Sequence, residues 1–476
     1  MFKKTHLRSL LGSILIGAMA AISTPAMATN EAMLDLLKIL KDKGSISAQE
    51  YELLANAAKA DGEKVEGTIN EMKADVDKKT KNMPKITTKG KFKVASQDGD
   101  WEFQPIGRIF WDYIANDNDG GAIGTYGDSG FELRRARLGM QGKYKPISWK
   151  AEMDFADQTG LSWKDVWVAY NGKMDHGKWW VKLGQAHTAF GHATISSSKY
   201  MPLVRRPLFA DGPQHSRRVG ISAYTEGKRW FAHTSYQLPG LNDDNVAGAT
   251  EDRTTLAFRL GGTPFKKDKK HLLHIGGSFM HEELNGDRFN NIDNNLVSHL
   301  GDGDQLEWDN AEGTVVEVDQ VDAFGAEAIG VWGPLHGVFE YVAWDVQTKS
   351  AGSYDLDAFA FDVGYFFTGE SMKYKTKGQF SGITPKKSVT KGGWGAWQLA
   401  ARYEQMDLRD GNRDGGEAEV FTVGLNWHPT SNTRVMADYA TTLDIKCGGV
   451  AGASTTCDGA TGTEPSAFTL RAMMYY

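Results

Sequence analysis

Cysteine is almost absent from this chain, which has 476 residues but only Cys447 and Cys457. So few cysteines exclude a disulfide-rich secreted scaffold and a zinc site built from several thiolates. The two residues flank one loop-like segment near the C terminus, and no histidine lies close to them. The spacing predicts a single disulfide that closes this loop, and two free thiols are the alternative.

Long apolar runs are scarce as well. Only residues 9–28 form an extended uncharged stretch, which follows three cations and ends on the small-x-small pattern Ala26-Met27-Ala28. A basic start, a short apolar centre and such an ending are typical of a cleaved export signal, whereas a membrane anchor needs a longer apolar centre. We therefore expect residues 1–28 to be a signal peptide.

The overall composition resembles that of a soluble protein, with 41% hydrophobic residues and a mean hydropathy of −0.44. Apart from residues 9–28, no stretch of the sequence approaches the ~20 consecutive apolar residues of a membrane helix. The low mean hydropathy is compatible with a transmembrane β-barrel, because only alternate residues of a barrel strand face lipid. A large secreted β protein is the alternative that composition leaves open.

The last eleven residues, 466–476, alternate in polarity with the period of a β-strand. One face of this strand is mostly apolar, the other is partly polar, and the chain ends on an aromatic residue, which indicates lipid outside and water inside. The first face consists of Phe468, Leu470, Ala472, Met474 and Tyr476, and the second of Ala467, Thr469, Arg471, Met473 and Tyr475.

Similar alternating segments, separated by tight turns and long polar loops, fill the chain from Ile86 onward. About 390 residues, at roughly 24 per strand with its connection, predict about sixteen strands, with fourteen and eighteen as alternatives. We therefore expect an all-β fold, a transmembrane antiparallel β-barrel over residues 85–476. A barrel of this size encloses a water-filled lumen.

Residues 29–84, between the signal and the barrel, are helical in character. Val65, Ile69, Met72 and Val76 step by four, three and four, which is the apolar spacing of a coiled coil. About two heptads are too few to associate without other contacts. A short trimeric coiled coil beside a trimeric barrel and a solvated linker helix are both open interpretations of this periplasmic segment.

Two arginines on one predicted strand indicate a charged lumen. Arg135 and Arg137 share a strand face, and a charge that faces lipid near the bilayer centre costs ~2–4 kcal/mol, so both must face the lumen. Arg134 would then fall on the lipid side, and we expect it near an interface. Simple pairing with Asp154 or Glu152 on the next strand is the alternative to a role in conduction.

A basic segment follows between Lys199 and Arg229, with seven cations against Asp211 and Glu226. Its prolines keep the centre out of a regular strand. This pattern predicts a loop, approximately 186–218, that folds into the pore and binds anionic oxygens; a surface loop that contacts lipopolysaccharide phosphates or a neighbouring subunit is the alternative. The candidate anion path consists of Arg135, Arg137, Lys199, Arg205, Arg206, Arg217, Arg218 and Arg229.

No sequence motif points to catalysis. His187, His192 and His215 lack the spacing of metal ligands, and the acidic loops at 116–121 and 410–417 do not match the calcium-loop pattern. We therefore expect no enzyme activity, no cofactor and no metal. An outer-membrane-anchored hydrolase and a structural adhesin barrel remain as alternatives from other functional classes.

The segment between Phe131 and Tyr224 carries a family resemblance. In order it contains FELRRARLGMQGKY, WKAEMDFAD, DVWVAYN, WVKLGQAHTAFG, SSSKY and RRVGISAY. This succession resembles the phosphate-selective porin O and P family of Gram-negative outer membranes. The resemblance implies a homotrimer of sixteen-stranded barrels, each with a constriction loop and with arginines that guide anions. Tyr476 departs mildly from the family, where a terminal Phe is more usual.

The function implied is passive diffusion of small anions, such as phosphate or related oxyanions, across the outer membrane. The expected partners are these anions, outer-membrane lipid with lipopolysaccharide, and two further copies of the chain, with no nucleic acid. A general porin with little anion selectivity is the alternative within the same class.

Overall fold

The structure is a computed structural model, and the chain divides into two compact units, Met1–Pro84 and Lys85–Tyr476. It describes residues 32–81, 83–88, 90–117, 129–157, 160–211, 217–241, 253–288, 296–300, 306, 308, 310–311, 314–315, 317–349, 352–411, 413–447, 454–455 and 461–476. The predicted signal peptide lies outside these residues.

The first unit is helical. Helix α1 covers residues 32–42 and helix α2 covers Ala48–Thr80. A capping box begins α2, because the Ser47 hydroxyl accepts the Glu50 N–H at 3.2 Å and the Glu50 carboxylate accepts the Ser47 N–H at 2.8 Å. Val65 and Met72, two residues of the predicted coiled-coil seam, are 48% and 46% exposed in the single chain.

None of the helices among the described residues is both long enough and apolar enough to cross a membrane.

The second unit is a closed barrel of sixteen antiparallel strands, which confirms the predicted all-β fold and strand number. Each strand pairs with the next along the chain, and the last pairs with the first. The strands are β1 Trp101–Asp117, β2 Gly130–Tyr144, β3 Ile147–Asp157, β4 Gly160–Met174, β5 Gly177–Ala186, β6 Arg218–Glu226, β7 Trp230–Leu238, β8 Thr254–Lys266, β9 His271–Arg288, β10 Glu317–Trp332, β11 Leu335–Thr348, β12 Gly352–Phe366, β13 Ala396–Asp410, β14 Arg413–His428, β15 Thr433–Lys446 and β16 Ser466–Tyr475.

Short elements lie between or before these strands. Two antiparallel pairs are Lys85–Thr87 with Lys93–Ala95, and Lys373–Lys375 with Gln379–Ser381. The remaining pieces are the pair Asn310–Ala311 with Thr314–Val315, the strand Ser454–Thr455 beside β14, the four-residue helix α3 His192–Ile195, and 3-10 turns at Leu208–Asp211 and Val389–Lys391.

The seam between β16 and β1 has the predicted alternation. Phe468 on the outer face is 42% exposed, whereas Arg471 on the inner face is buried and forms a two-bond ion pair with Asp112 of β1, at 2.6 and 2.5 Å. Beyond β16, the Tyr476 N–H donates to the Gly107 carbonyl at 3.1 Å. The Tyr476 ring packs over Gly107, where a Cβ would lie 2.7 Å from the Tyr476 hydroxyl oxygen and would displace this side chain.

The two ends of the barrel differ in their connections. At one end, here called the short-turn end, β2–β3, β4–β5, β6–β7, β8–β9, β10–β11 and β14–β15 are joined by tight turns, and only residues 367–395 form a long connection. The opposite end, here called the long-loop end, has most of the extended connections, including 187–217 and 289–316, while β3–β4, β11–β12 and β13–β14 are joined there by two or three residues. In outer-membrane barrels the short turns face the periplasm.

Deletion of residues 468–476 should prevent barrel closure. The truncated chain keeps β1 and β15 as open edges, whose backbone groups have no partner in lipid. We expect the truncated protein to be missing as a heat-modifiable species from the membrane fraction on gels. Tyr476→Ala, which keeps the strand ladder, should have a weaker effect; a truncated protein that stays folded and soluble would contradict a membrane-spanning barrel.

Candidate pore constriction

Residues 187–211, the described part of the connection from β5 to β6 before Arg217, cross the lumen to the opposite wall. The N–H groups of His192 and Ala193 donate to Glu340 on β11 at 2.6 and 2.8 Å. The Leu208 N–H donates to Glu404 on β13 at 2.7 Å. Because β13 lies diametrically opposite β5 and β6 in a sixteen-stranded ring, these bonds place the loop inside the barrel and narrow it.

Carbonyl groups of this loop accept hydrogen bonds from arginines on β15 and β16. Arg434 donates to the Met201 carbonyl at 2.6 Å, and Arg471 donates to the Val204 carbonyl at 2.9 Å. The Val204 N–H in turn donates to Asp438 at 2.6 Å. Buried backbone groups need such partners, so polar wall residues hold an irregular, proline-containing loop in place.

A second segment, 367–395, enters the lumen from the short-turn end and touches the first. The Gly378 carbonyl lies 2.8 Å from Nδ1 of His192 and accepts Nη2 of Arg259 at 3.1 Å. Gln379 donates to the Ile195 carbonyl at 2.7 Å. The backbone at Gly378 has φ +62°, and a Cβ there would lie 2.6 Å from Arg259 Nη2. The sequence analysis did not foresee this segment.

These two segments and the wall of β1–β8 enclose a cavity of about 550 Å³, here called the constriction cavity. Among the described residues, twelve cationic side chains line it against one carboxylate, Asp165. Its cations are Arg108, Arg135, Arg137, Lys150, Lys164, Lys182, Lys199, Arg206, Arg217, Arg259, Lys375 and Lys377. Such an excess of one charge between low-dielectric walls concentrates counter-ions of the opposite sign, here anions.

A β-bulge between β1 and β2 affects which charged side chains reach the lumen. On β1–β2 the register shifts between Phe110 and Trp111, and Arg134 lies at the shift, with Nε 3.8 Å from the carboxylate of Glu132. Glu132 pairs with the lumen residue Asp112, so the expectation that Arg134 faces the lipid side is wrong. The bulge interrupts the strict alternation on which that expectation rested.

Several cavity arginines are held by carboxylates of neighbouring strands. Arg137 Nε lies 2.7 Å from Asp154, as one alternative in the sequence analysis proposed, and Arg108 lies 2.9 Å from Glu152. Arg217 Nε lies 3.0 Å from Asp165. Each guanidinium has five N–H donors, so a single carboxylate contact fixes its position and leaves donors for a passing anion.

Some of the cavity lysines differ from these arginines in that they do not contact any described carboxylate. Among the described residues, no carboxylate lies within salt-bridge distance of Lys199 or Lys182. Lys199 Nζ sits 5.5 and 5.6 Å from the ring centroids of Tyr200 and Tyr475. Burial, helped by nearby Arg108, lowers the pKa of Lys199 to about 8. Its ammonium is therefore still mostly protonated at neutral pH.

The predicted anion-path residues do not all meet at this cavity. Arg135, Arg137, Lys199, Arg206 and Arg217 line it, whereas Arg205, Arg218 and Arg229 do not.

Arg205 donates to the Leu296 carbonyl, and Arg218 lies 2.5 Å from Glu282 on β9. Arg229 is exposed in the turn between β6 and β7, where it donates to the Lys266 carbonyl at 3.2 Å. Arg206 lines the cavity but also donates to the Ala193 and Ser196 carbonyls, which ties the loop to itself.

The sequence analysis missed single cations on separate strands. Lys150 on β3 and Lys182 on β5 each stand alone between residues that face outward, so strand alternation could have identified them. Lys375 and Lys377 carried no such signal, because they lie on the irregular inward segment. Burial lowers the pKa of Lys377 to about 8, and Lys375 adds repulsion.

The remaining predictions concern peripheral features. Cys447 is disulfide-bonded, but Cys457, like residues 118–121 and 412 of the acidic loops, lies outside the described residues. The pairing with Cys457 therefore stays a prediction, which mass spectrometry of non-reduced tryptic peptides can test.

Among the described residues, no group of three or more potential ligands could hold a metal ion.

Positive charge continues from the constriction to the short-turn end. A second cavity of about 1580 Å³, here called the vestibule, is lined, within the described ranges, by eleven lysines against Glu226 and Glu370. The lysines are Lys143, Lys145, Lys173, Lys178, Lys266, Lys269, Lys270, Lys373, Lys375, Lys377 and Lys386. A closed barrel whose lumen is narrowed by inward segments and lined by charge has the architecture of a porin.

Comparison with known proteins gives the family. The model of the family described as "Phosphate-selective porin O and P" matches residues 103–444, and the chain belongs to this family, whose members lie in the outer membrane of Gram-negative bacteria. It is 28% identical over 375 residues to an uncharacterized protein of Caulobacter vibrioides, covering 74% of this chain and 71% of that protein. It is 22% identical over 388 residues to Porin O of Pseudomonas aeruginosa, covering 74% and 86%.

Several solved structures have a similar fold, and two of them are described here. An anion-selective porin from Comamonas acidovorans has a TM-score of 0.49 at 11% identity, covering 79% of this chain and 100% of that one. The trimer form of OmpT from Vibrio cholerae has a TM-score of 0.49 at 14% identity, covering 79% and 99%.

Glu340→Ala should release the constriction loop. The substitution leaves the N–H groups of His192 and Ala193 without their acceptor, and each unsatisfied buried donor costs about 1–3 kcal/mol. We expect a larger and noisier single-channel conductance in planar bilayers. Glu340→Gln keeps one of the two acceptor oxygens and should have an intermediate effect; an unchanged conductance in the Ala variant would show that this anchor does not hold the loop.

Proposed function

We propose that the protein is a channel for passive diffusion of small anions, such as phosphate and related oxyanions, across the outer membrane. The observation that carries this proposal is the constriction cavity, where twelve cations face one carboxylate in the part of the chain that the structure describes. The chain as a whole has a formal charge of −6. The excess of cationic side chains in the cavity therefore results from where these residues lie and not from the overall composition.

The mechanism is electrostatic capture followed by transfer between fixed donors. An oxyanion that enters the constriction exchanges part of its hydration shell for N–H groups of residues such as Arg135 and Lys199. It then meets the lysines of the vestibule on the periplasmic side. The presence of many donors favours movement over retention, because conduction requires binding that is weak enough for release.

The family description and the name of the relative Porin O support a channel and support phosphate as a solute. We infer a channel, in preference to an anchored hydrolase, because the charges form a continuous lining along two joined cavities. A general porin with little selectivity is the competing proposal, since Arg137, Arg108 and Arg217 each have a carboxylate partner that offsets their charge.

Lys199→Glu should reduce anion selectivity. Lys199 lines the constriction cavity, and the change reverses a charge where a single carboxylate is present. We expect the reversal potential in a KCl gradient to move clearly toward the cation side. Arg229→Glu is the matched control, since Arg229 is exposed in a periplasmic turn, and it should shift the potential far less.

A native reversal potential near zero would favour the general porin. Equal shifts for the two variants would mean that the constriction cavity does not control selectivity.

We also propose that three chains associate and that the seam of α2 contributes to their association. The single chain leaves Val65 and Met72 nearly half exposed, and tethering by three barrels would offset the shortness of the coiled coil.

Met72→Cys should therefore form disulfide-linked pairs of chains on mild oxidation in intact membranes. Lys73→Cys, one position away from the seam, is the matched control and should cross-link much less. Equal cross-linking of both variants, or of neither, would favour the solvated linker helix.

A further inference from the structure

Four residues line both the constriction cavity and the vestibule, and here they are called the neck. They are Trp180 on β5, Tyr224 on β6, and Lys375 and Lys377 on the inward segment 367–395. A solute that moves from one of these cavities into the other passes these side chains. The neck therefore determines which solutes leave the constriction by this route.

One side of the neck is aromatic. Trp180 and Tyr224 are register partners on adjacent strands, with ring centroids 5.3 Å apart and planes inclined by only 14°. Phe231 extends the row, with its centroid 6.2 Å from that of Tyr224. The Tyr224 hydroxyl donates to Glu226, so the polar end of this side chain is engaged and the ring forms part of the lining.

The other side of the neck is cationic. Arg259 positions the segment by donating to the Lys377 and Gly378 carbonyls, each at 3.1 Å, while it pairs with Glu327. In the part of the chain that the structure describes, no carboxylate lies within salt-bridge distance of the Lys375 or Lys377 ammonium. Both lysines are thus available to an anion.

Inorganic phosphate does not account for the aromatic side. It is compact and strongly hydrated, and it has no apolar surface to place against a ring, whereas an aromatic solute gains from edge-to-face contact with ring edges and from removal of apolar area from water. The ring faces of the neck are themselves covered, because Tyr224 lies between Trp180 and Phe231. Lys182 Nζ lies 4.1 Å from the centroid of the Trp180 ring. An arginine or asparagine at these wall positions would serve phosphate better. Aromatic residues beside paired ammonium groups fit a solute with both kinds of surface.

We propose that the neck binds organic anions in which a planar ring adjoins a phosphate or carboxylate, with the ring against Trp180 and Tyr224 and the charge at Lys375 and Lys377. This inference rests on the proposed anion-channel function and extends its substrate class. Aromatic phosphates and aromatic carboxylates are the chemical classes concerned.

The test compares two solutes of equal charge that differ in the ring, phenyl phosphate and methyl phosphate. Each is added to the full-length protein in planar bilayers, and the concentration that halves the chloride current is measured. Ring contacts of this kind change an equilibrium by roughly two- to ten-fold, so phenyl phosphate should block at a correspondingly lower concentration. Trp180→Leu should abolish the difference.

Trp230→Leu, which removes an outward-facing ring on β7, is the matched control and should keep the difference. Equal block by the two phosphates in the native protein would overturn the inference without requiring any variant to fold. A ring preference that survives in Trp180→Leu would overturn it as well. A native channel without anion selectivity would instead refute the proposed function, so the two failures are distinguishable.

Discussion

A bilayer solvates neither charges nor free backbone groups, and the rest of this structure depends on that constraint. It requires a closed hydrogen-bonded ladder, which here has sixteen strands. It also requires the charged side chains of the membrane-spanning wall to face the lumen. The lumen is consequently crowded with ionisable groups that must be paired, hydrated or bonded to backbone. The inward segments exist because the wall supplies such partners: Glu340, Glu404 and Asp438 bind loop N–H groups, and Arg434 and Arg471 bind loop carbonyls.

Ion pairing between wall residues also separates negative from positive charge within the lumen. Carboxylates such as Asp362 and Asp112 are occupied by Arg402 and Arg471 on the wall that holds the loop. The opposite wall and the loop itself present cations to the constriction cavity, where Asp165 is the single acidic lining residue that the structure describes. An acidic chain can thus contain a strongly positive passage, because location and not net charge sets the local potential.

The sequence predicted the features that follow from strand alternation. The inner position of Arg471, the outer position of Phe468 and the strand number need only a period of two and a count of connections. Alternation failed at Arg134, because a bulge is a tertiary adjustment without a composition signal. The sequence could not separate Arg206, which lines the cavity, from Arg205, which binds the Leu296 carbonyl, since neighbouring loop residues have no fixed direction. The inward segment 367–395 depends on contacts with His192 and Arg259, far away in sequence.

The central claim is that anions pass through the cavity between the constriction loop and the wall of β1–β8. The most direct measurement is anomalous X-ray scattering from crystals of the protein soaked in bromide, which shows each anion position without reference to transport. The account predicts bromide peaks inside the constriction cavity beside Arg135, Lys150 and Lys199. Peaks confined to the exposed loops and turns, with none in that cavity, would contradict it.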